Sequence, residues 1–130
     1  MTALFIHNDA ADDIRALFKS DPVAAARIAT FLEALKSDAD LLDCLTVHNY
    51  GEHRSEEFHV SKWLEHWNKG KDIWRMKIWD LEDKGLKYRI IYVFIPIKNH
   101  HHVLAVVPRD FNYDINHPIN DRIMRAYEDL

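Results

Sequence analysis

Between positions 73 and 113 the sequence reads IWRMKIWDLEDKGLKYRIIYVFIPIKNHHHVLAVVPRDFNY. Arg75, Lys77, Lys87, Arg89 and Arg109 stand in it at spacings that a small sheet brings together. Cations fixed on one surface recognise an anion, and a nucleic acid is the anionic partner with the most phosphates to offer. The competing reading of Arg75 and Lys77 is an ordinary solvated sheet face. Convergence with Arg89 and Arg109 on the same surface weighs against it.

Three consecutive antiparallel strands must do the positioning. In the first, 73–79, Trp74, Met76 and Ile78 point one way and Arg75 and Lys77 the other. The second, 87–95, starts with Lys87 and Arg89 on one side. It then turns apolar on both sides, as a central strand covered on both faces does. Tyr88 and Tyr92 share the parity of Ile90 and Phe94 and read as core. The third, 102–107, runs into Pro108 and Arg109. Gly85 punctuates the first connection; Pro96 and Asn99 punctuate the second.

A helical hairpin precedes the sheet. Asn8 or Asp9 caps a first helix whose apolar face is Ala10, Ile14, Leu17 and Phe18, with Asp12 and Asp13 in its first turn. Asp21 caps a second helix with Pro22 at its first position, and Ile28, Phe31, Leu32 and Leu35 follow the helical period. A short third turn surrounds Leu41, Leu42 and Leu45. The stretch 46–72 is the hardest to place. Residues 48–55 read as loop, 58–63 as an edge strand and 63–67 as a short helix, and the whole reads as an insertion before the core sheet. Pro118 opens a last helix with Ile119, Ile123, Met124, Tyr127 and Leu130 on its apolar side. The fold class expected is α+β, as a single domain over 1–130: a helical hairpin on a small antiparallel sheet of three to four strands, with a C-terminal helix.

Composition bounds the partners. Residues 1–61 carry five Lys/Arg against eleven Asp/Glu, residues 62–109 ten against five, and residues 110–130 two against five. A basic middle between acidic flanks suits a local anion site rather than long-range attraction to nucleic acid. Cys44 stands alone, so no internal disulfide forms. It reads as a small apolar residue on a helix in a reducing, cytoplasmic setting. No apolar run reaches the length of a membrane span, and the N-terminus lacks the pattern of a signal peptide. The nine histidines include His100, His101 and His102 at an expected hairpin tip. No HExxH or Cys/His spacing is present, so no metal and no cofactor is expected, and the histidines default to the surface. The four tryptophans read as core or edge cover. His48 with His53 or His59 would be an alternative acid/base pair.

The order Trp74-Arg75-Met76-Lys77-Ile78, then Tyr88-Arg89-Ile90-Ile91-Tyr92, then Arg109 with Tyr113 four residues on, resembles the RelE/ParE superfamily of bacterial toxins from type II toxin–antitoxin pairs. The motif match covers the C-terminal half, and the helical hairpin agrees by type. The resemblance implies one of two activities. RelE-like members are ribosome-dependent endoribonucleases that cut mRNA and block translation. ParE-like members share the fold and poison DNA gyrase. A third possibility is a non-toxic interaction module on the same fold. Carried over position by position, the resemblance makes Arg75, Lys77, Arg89, Arg109 and Tyr113 the catalytic set. Lys77, its pKa lowered by neighbouring cations, is the candidate base. Arg89 and Arg109 hold the scissile phosphate, Arg75 positions the backbone, and Tyr113 stacks on a base. Lys69, Lys71 and Lys87 are expected to touch RNA. The implied partners are the ribosome with its mRNA, and a cognate antitoxin whose acidic segment covers the basic surface or pairs along a sheet edge. Arg75 departs from the lysine that many RelE-like members carry there.

Overall fold

A computed structural model describes residues 2–111 and 115–130. The elements in order are β1 (Ala3–Ile6), α1 (Asn8–Ser20), α2 (Pro22–Lys36), α3 (Ala39–Cys44), β2 (Phe58–Lys62), α4 (Leu64–Trp67), β3 (Ile73–Ile78), α5 (Trp79–Asp83), β4 (Tyr88–Ile95), β5 (His100–Pro108), a 3-10 turn (Arg109–Phe111) and α6 (Pro118–Glu128). The α+β class and the helical hairpin agree with expectation. The sheet is larger and differently joined: five strands in the order β1-β5-β4-β3-β2. β1 pairs parallel to β5, from Ala3 opposite His100 to Ile6 opposite Val103, while the other pairings are antiparallel. The sheet is therefore mixed.

Local chemistry sets the helix starts. Asp21 accepts from the Ala24 amide at 3.2 Å and Pro22 opens α2. Asp38 does the same for α3, accepting from Leu41 N at 3.1 Å. The first helix corrects the expected cap. His7 holds that place, its Nδ1 accepting from the Asp9 amide at 3.1 Å, and Asn8 is already helical. His117 caps α6 the same way, accepting from Ile119 N at 3.1 Å.

The two faces of the sheet bury two separate clusters. The hairpin α1–α2 covers one face, packing Ile28, Phe31, Leu32 and Leu35 on Trp74, Met76, Ile90 and Tyr92. Trp74 lies edge-on to Trp67 (5.6 Å, 89°), and its Nε1 donates to Asp72 at 2.5 Å. The Tyr92 hydroxyl donates to the Leu45 carbonyl at 2.6 Å inside the core, and that of the partly buried Tyr88 reaches Asp21 Oδ2 at 3.1 Å at its edge, so both polar tips are satisfied. On the other face, Ile123 and Ala126 of α6 cover Ile73, Ile91, Val93, Leu104 and Val107. A register shift opposite Ile91 and Tyr92 lets Leu104 and Ala105 face this second cluster in succession, while Val103 and Val106 face the first.

Two features tie the layers together. Asp13 of α1 accepts from the Val106 amide at 2.9 Å and from both terminal nitrogens of Arg122 on α6, at 2.8 and 2.9 Å. At the opposite margin the segment before β2 lies along that strand's outer side. Asn49 N donates to Val60 O at 2.9 Å, Val60 N to Tyr50 O at 3.0 Å, and Lys62 N to His48 Nδ1 at 3.1 Å. Gly51 turns the chain there with φ +79°, and an added Cβ would run into the Phe58 carbonyl. The stretch 46–72 thus supplies the edge strand of the sheet, and Phe58 and Val60 enter the main core.

Candidate functional site

The apolar cover of α6 stops at Ile73 and Ile91. Toward the ends of β3 and β4 the same face continues with Arg75, Lys77 and Arg89, and the cleft there has a volume of about 280 Å³. Its lining is His59 and Ser61 from β2, Arg75, Met76 and Lys77 from β3, Arg89 from β4 and Arg109 after β5. The pairing places these residues. His59 stands opposite Lys77 and Ser61 opposite Arg75. The run Arg75–Ile91, Met76–Ile90 brings Lys77 beside Arg89. Arg109 is held at the rim because its amide donates to the Lys87 carbonyl at 2.8 Å.

The cations are engaged differently. Arg75 Nε donates to Ser61 Oγ at 2.8 Å. Arg89 is 8% exposed and pairs with Glu82 of α5; the two side chains are each 10% exposed. Arg89 also donates to its neighbour's carbonyl, Tyr88 O, at 2.9 Å. Its charge is therefore balanced inside the protein, which the sequence reading did not anticipate. Lys77 is half-buried, with Nζ 4.7 Å above the Trp79 ring. Burial lowers its pKa most, and Arg89, Arg109 and Arg54 add to the effect against Glu82. The direction expected from neighbouring cations is found, with burial as the larger cause. Arg109 lies exposed on the 3-10 turn.

Trp79 packs against two of the cleft residues, Lys77 and His59. Its Nε1 donates to Gly51 O at 2.9 Å. His59 lies parallel to its ring at 5.8 Å and 7°, and the Arg54 guanidinium sits 4.3 Å from the ring centre. His59 Nε2 is buried without a hydrogen-bond partner among the described residues. Burial, then Lys77 and Arg75, hold its pKa below the usual histidine value.

Of the expected catalytic residues, Arg75, Lys77, Arg89 and Arg109 come together, and Tyr113 lies outside the described residues. The three lysines expected to touch RNA divide. Lys87 borders a second groove that shares Arg109 with the cation cleft. Lys69 and Lys71 sit past α4, before β3 begins at Ile73, at the strand end opposite Lys77. Neither lines the cleft. Glu82, Ser61 and Trp79 were missed as site residues, and His59 appeared only in an alternative pair with His48. The usable signal was the edge strand 58–62, which adds its alternate residues to whichever face β3 gives to Arg75 and Lys77.

The histidine run also needs correction. His100, His101 and His102 belong to β5 rather than to a hairpin tip. His101 is 1% exposed, and burial pushes its pKa down to about 4. His100 and His102 flank Phe5 at 4.8 and 5.2 Å. Cys44 is only half-buried, at the end of α3. Among the described residues no three His, Cys, Asp or Glu side chains come together to hold a metal ion, and no helix is long and apolar enough to cross a membrane. Compared with known proteins, the chain matches no family model, no curated protein and no solved structure.

Proposed function

We propose that the cation cleft binds an RNA phosphodiester and cleaves the strand through its own 2′-hydroxyl, as a RelE-like, ribosome-dependent toxin of translation. The observation that carries this reading is the meeting of Arg75, Lys77, Arg89 and Arg109 around one cleft, with Lys77 half-buried and its pKa lowered. Fixed guanidinium groups stabilise the charge that builds on phosphorus. A lysine brought closer to neutrality transfers protons more readily. Arg75 and Arg109 would grip the phosphate oxygens, and Lys77 is the proton-transfer group. Tyr113 remains the proposed base-stacking residue. The proposed partners are the ribosome with its mRNA and an acidic antitoxin segment that covers the cleft, in the cytoplasm of a bacterium.

A second reading is favoured by one observation. Arg89 is already neutralised by Glu82, as expected of a binding module that has no developing charge to stabilise. Inducible expression in bacteria, with pulse labelling of protein and DNA synthesis, separates the readings. Wild type should halt protein synthesis within minutes, and Lys77→Ala should abolish the effect. A selective fall in DNA synthesis would replace the nuclease with a ParE-like gyrase poison. No effect on either would leave the binding module.

A further inference from the structure

Cleavage through the 2′-hydroxyl needs two proton transfers, one from that hydroxyl and one to the departing 5′ oxygen. The cleft as described supplies Lys77 for one. We propose that His59 is the other group: its Nε2 takes the 2′-hydroxyl proton while the Lys77 ammonium protonates the 5′ oxygen. The inference rests on the nuclease reading of the cleft and divides the labour within it.

Geometry carries the assignment. His59 and Lys77 are direct cross-strand partners and line the same cleft. Such partners hold their Cβ atoms about 5 Å apart, close enough for one phosphodiester to touch both side chains. The imidazole is oriented by its parallel stack on Trp79, which is itself fixed by its bond to Gly51. Its Nε2 is shielded from water and lacks a partner among the described residues. His66 Nδ1, Trp67 Nε1 and His101 Nδ1 are also buried without a partner among the described residues, but none of those residues lines the cleft as His59 does, and a substrate hydroxyl held there is a partner of the right kind. Lys77 and Arg75 line the same cleft as His59, so a phosphate held by these cations would lie beside the imidazole.

Electrostatics agrees with the division. The charged or titratable groups around His59 are Lys77 and Arg75 from β3 and Glu52 and His48 from the preceding loop. Burial and the two cations keep the imidazole neutral at pH 7, ready to accept. Lysine starts about four pKa units higher and holds its proton. In the step, the O2′–H bond breaks and the proton goes to His59 Nε2, while O2′ bonds to phosphorus. The P–O5′ bond breaks, and O5′ takes a proton from Lys77 Nζ. The products are a 2′,3′-cyclic phosphate and a 5′-hydroxyl. Both side chains then re-equilibrate with water.

Single-turnover cleavage on programmed ribosomes tests this. The cut site is mapped on an ordinary message, and a bridging 5′ sulfur is then placed at that bond, since a thiolate leaves without protonation. His59→Phe keeps the ring stack without the nitrogens, and His59→Gln provides a second variant; circular dichroism checks that each folds. On the ordinary message, His59→Phe and Lys77→Ala should each lose about 10²-fold or more. The sulfur substrate should restore Lys77→Ala to within about tenfold of wild type and leave His59→Phe impaired. The wild-type rate should also fall on the acid side of pH 6.5, a limb absent from His59→Phe. Cleavage by folded His59→Phe and His59→Gln at the wild-type rate overturns the inference and leaves the nuclease reading standing. Sulfur rescue of the His59 variants instead of Lys77→Ala also overturns it. A wild-type protein that cuts nothing removes the nuclease reading, and this inference with it.

Discussion

The two faces of the sheet are built from the same strands and differ in what covers them. Under the helical hairpin, β3 presents Trp74, Met76 and Ile78, all buried and packed to the strand's end. On the reverse, β3 presents Ile73 under α6 and then Arg75 and Lys77, where the apolar cover has ended. One face is filled, and the other is half filled and half polar. The lesson is that a period-two strand can carry stability and chemistry at once, provided the helices cover the two faces unequally. Substitutions on the two sides should therefore fail in different ways.

The largest effect is expected on the filled side. Trp74→Ala removes a side chain packed on Trp67 and Tyr92 and leaves Asp72 without its indole donor. It should cost about 3–5 kcal/mol in urea unfolding and lower phosphate affinity only through loss of folded protein. Arg89→Ala tests whether the faces separate so cleanly. Removing one partner of a buried pair typically costs about 3–5 kcal/mol, because the other charge is left alone. Adding Glu82→Ala should recover most of that loss, and anion binding should stay weak. Should the double variant remain as unstable as Arg89→Ala, Arg89 is structural in its own right.

A pH titration reaches the filled side from another direction. His101 is neutral in the fold, with its pKa lowered to about 4 from the ordinary 6.5. The unfolded chain binds the proton first as pH falls, so stability is complete above about pH 6.5 and is lost toward pH 4. The loss should be about 3 kcal/mol. His101→Leu should flatten that slope in denaturant melts taken across the interval. The smallest stability change belongs to the polar side. Lys77→Ala should shift unfolding by no more than about 0.5 kcal/mol, because it removes a charge whose burial already weakens it. Its effect should appear in anion binding and in translation. A large loss of stability would mean that the cleft is simply another part of the core.

Much of this was legible because it is local. Alternation in β3 assigned Arg75 and Lys77 to one face, and the helical period with the Asp21–Pro22 start defined α2. What escaped depends on pairings between distant residues. Four residues at the N-terminus say nothing about a parallel partner at His100, so the mixed sheet was missed. That same partner places His101 inside, where composition alone put a surface histidine. The register shift at Leu104 lets two neighbours face one side, which simple alternation cannot express. In the cleft, Arg75, Lys77 and Arg89 were found from strand parity, and Arg109 from its place just after the third strand and the family resemblance. Glu82 was missed because it lies seven residues before Arg89, across a turn whose geometry no period encodes.

The covered outer side of β2 carries a consequence for assembly. Asn49 and Tyr50 already occupy backbone groups of Val60, so an added strand finds that margin taken. Among the described residues, no strand lies beyond β1 at the other end of the sheet. A sheet with a single unpaired margin can be extended there once, by a partner's strand or a second copy, and the margin is then used up. Two copies paired edge to edge at β1 would each present the covered side of β2 outward, which closes the pair as a dimer.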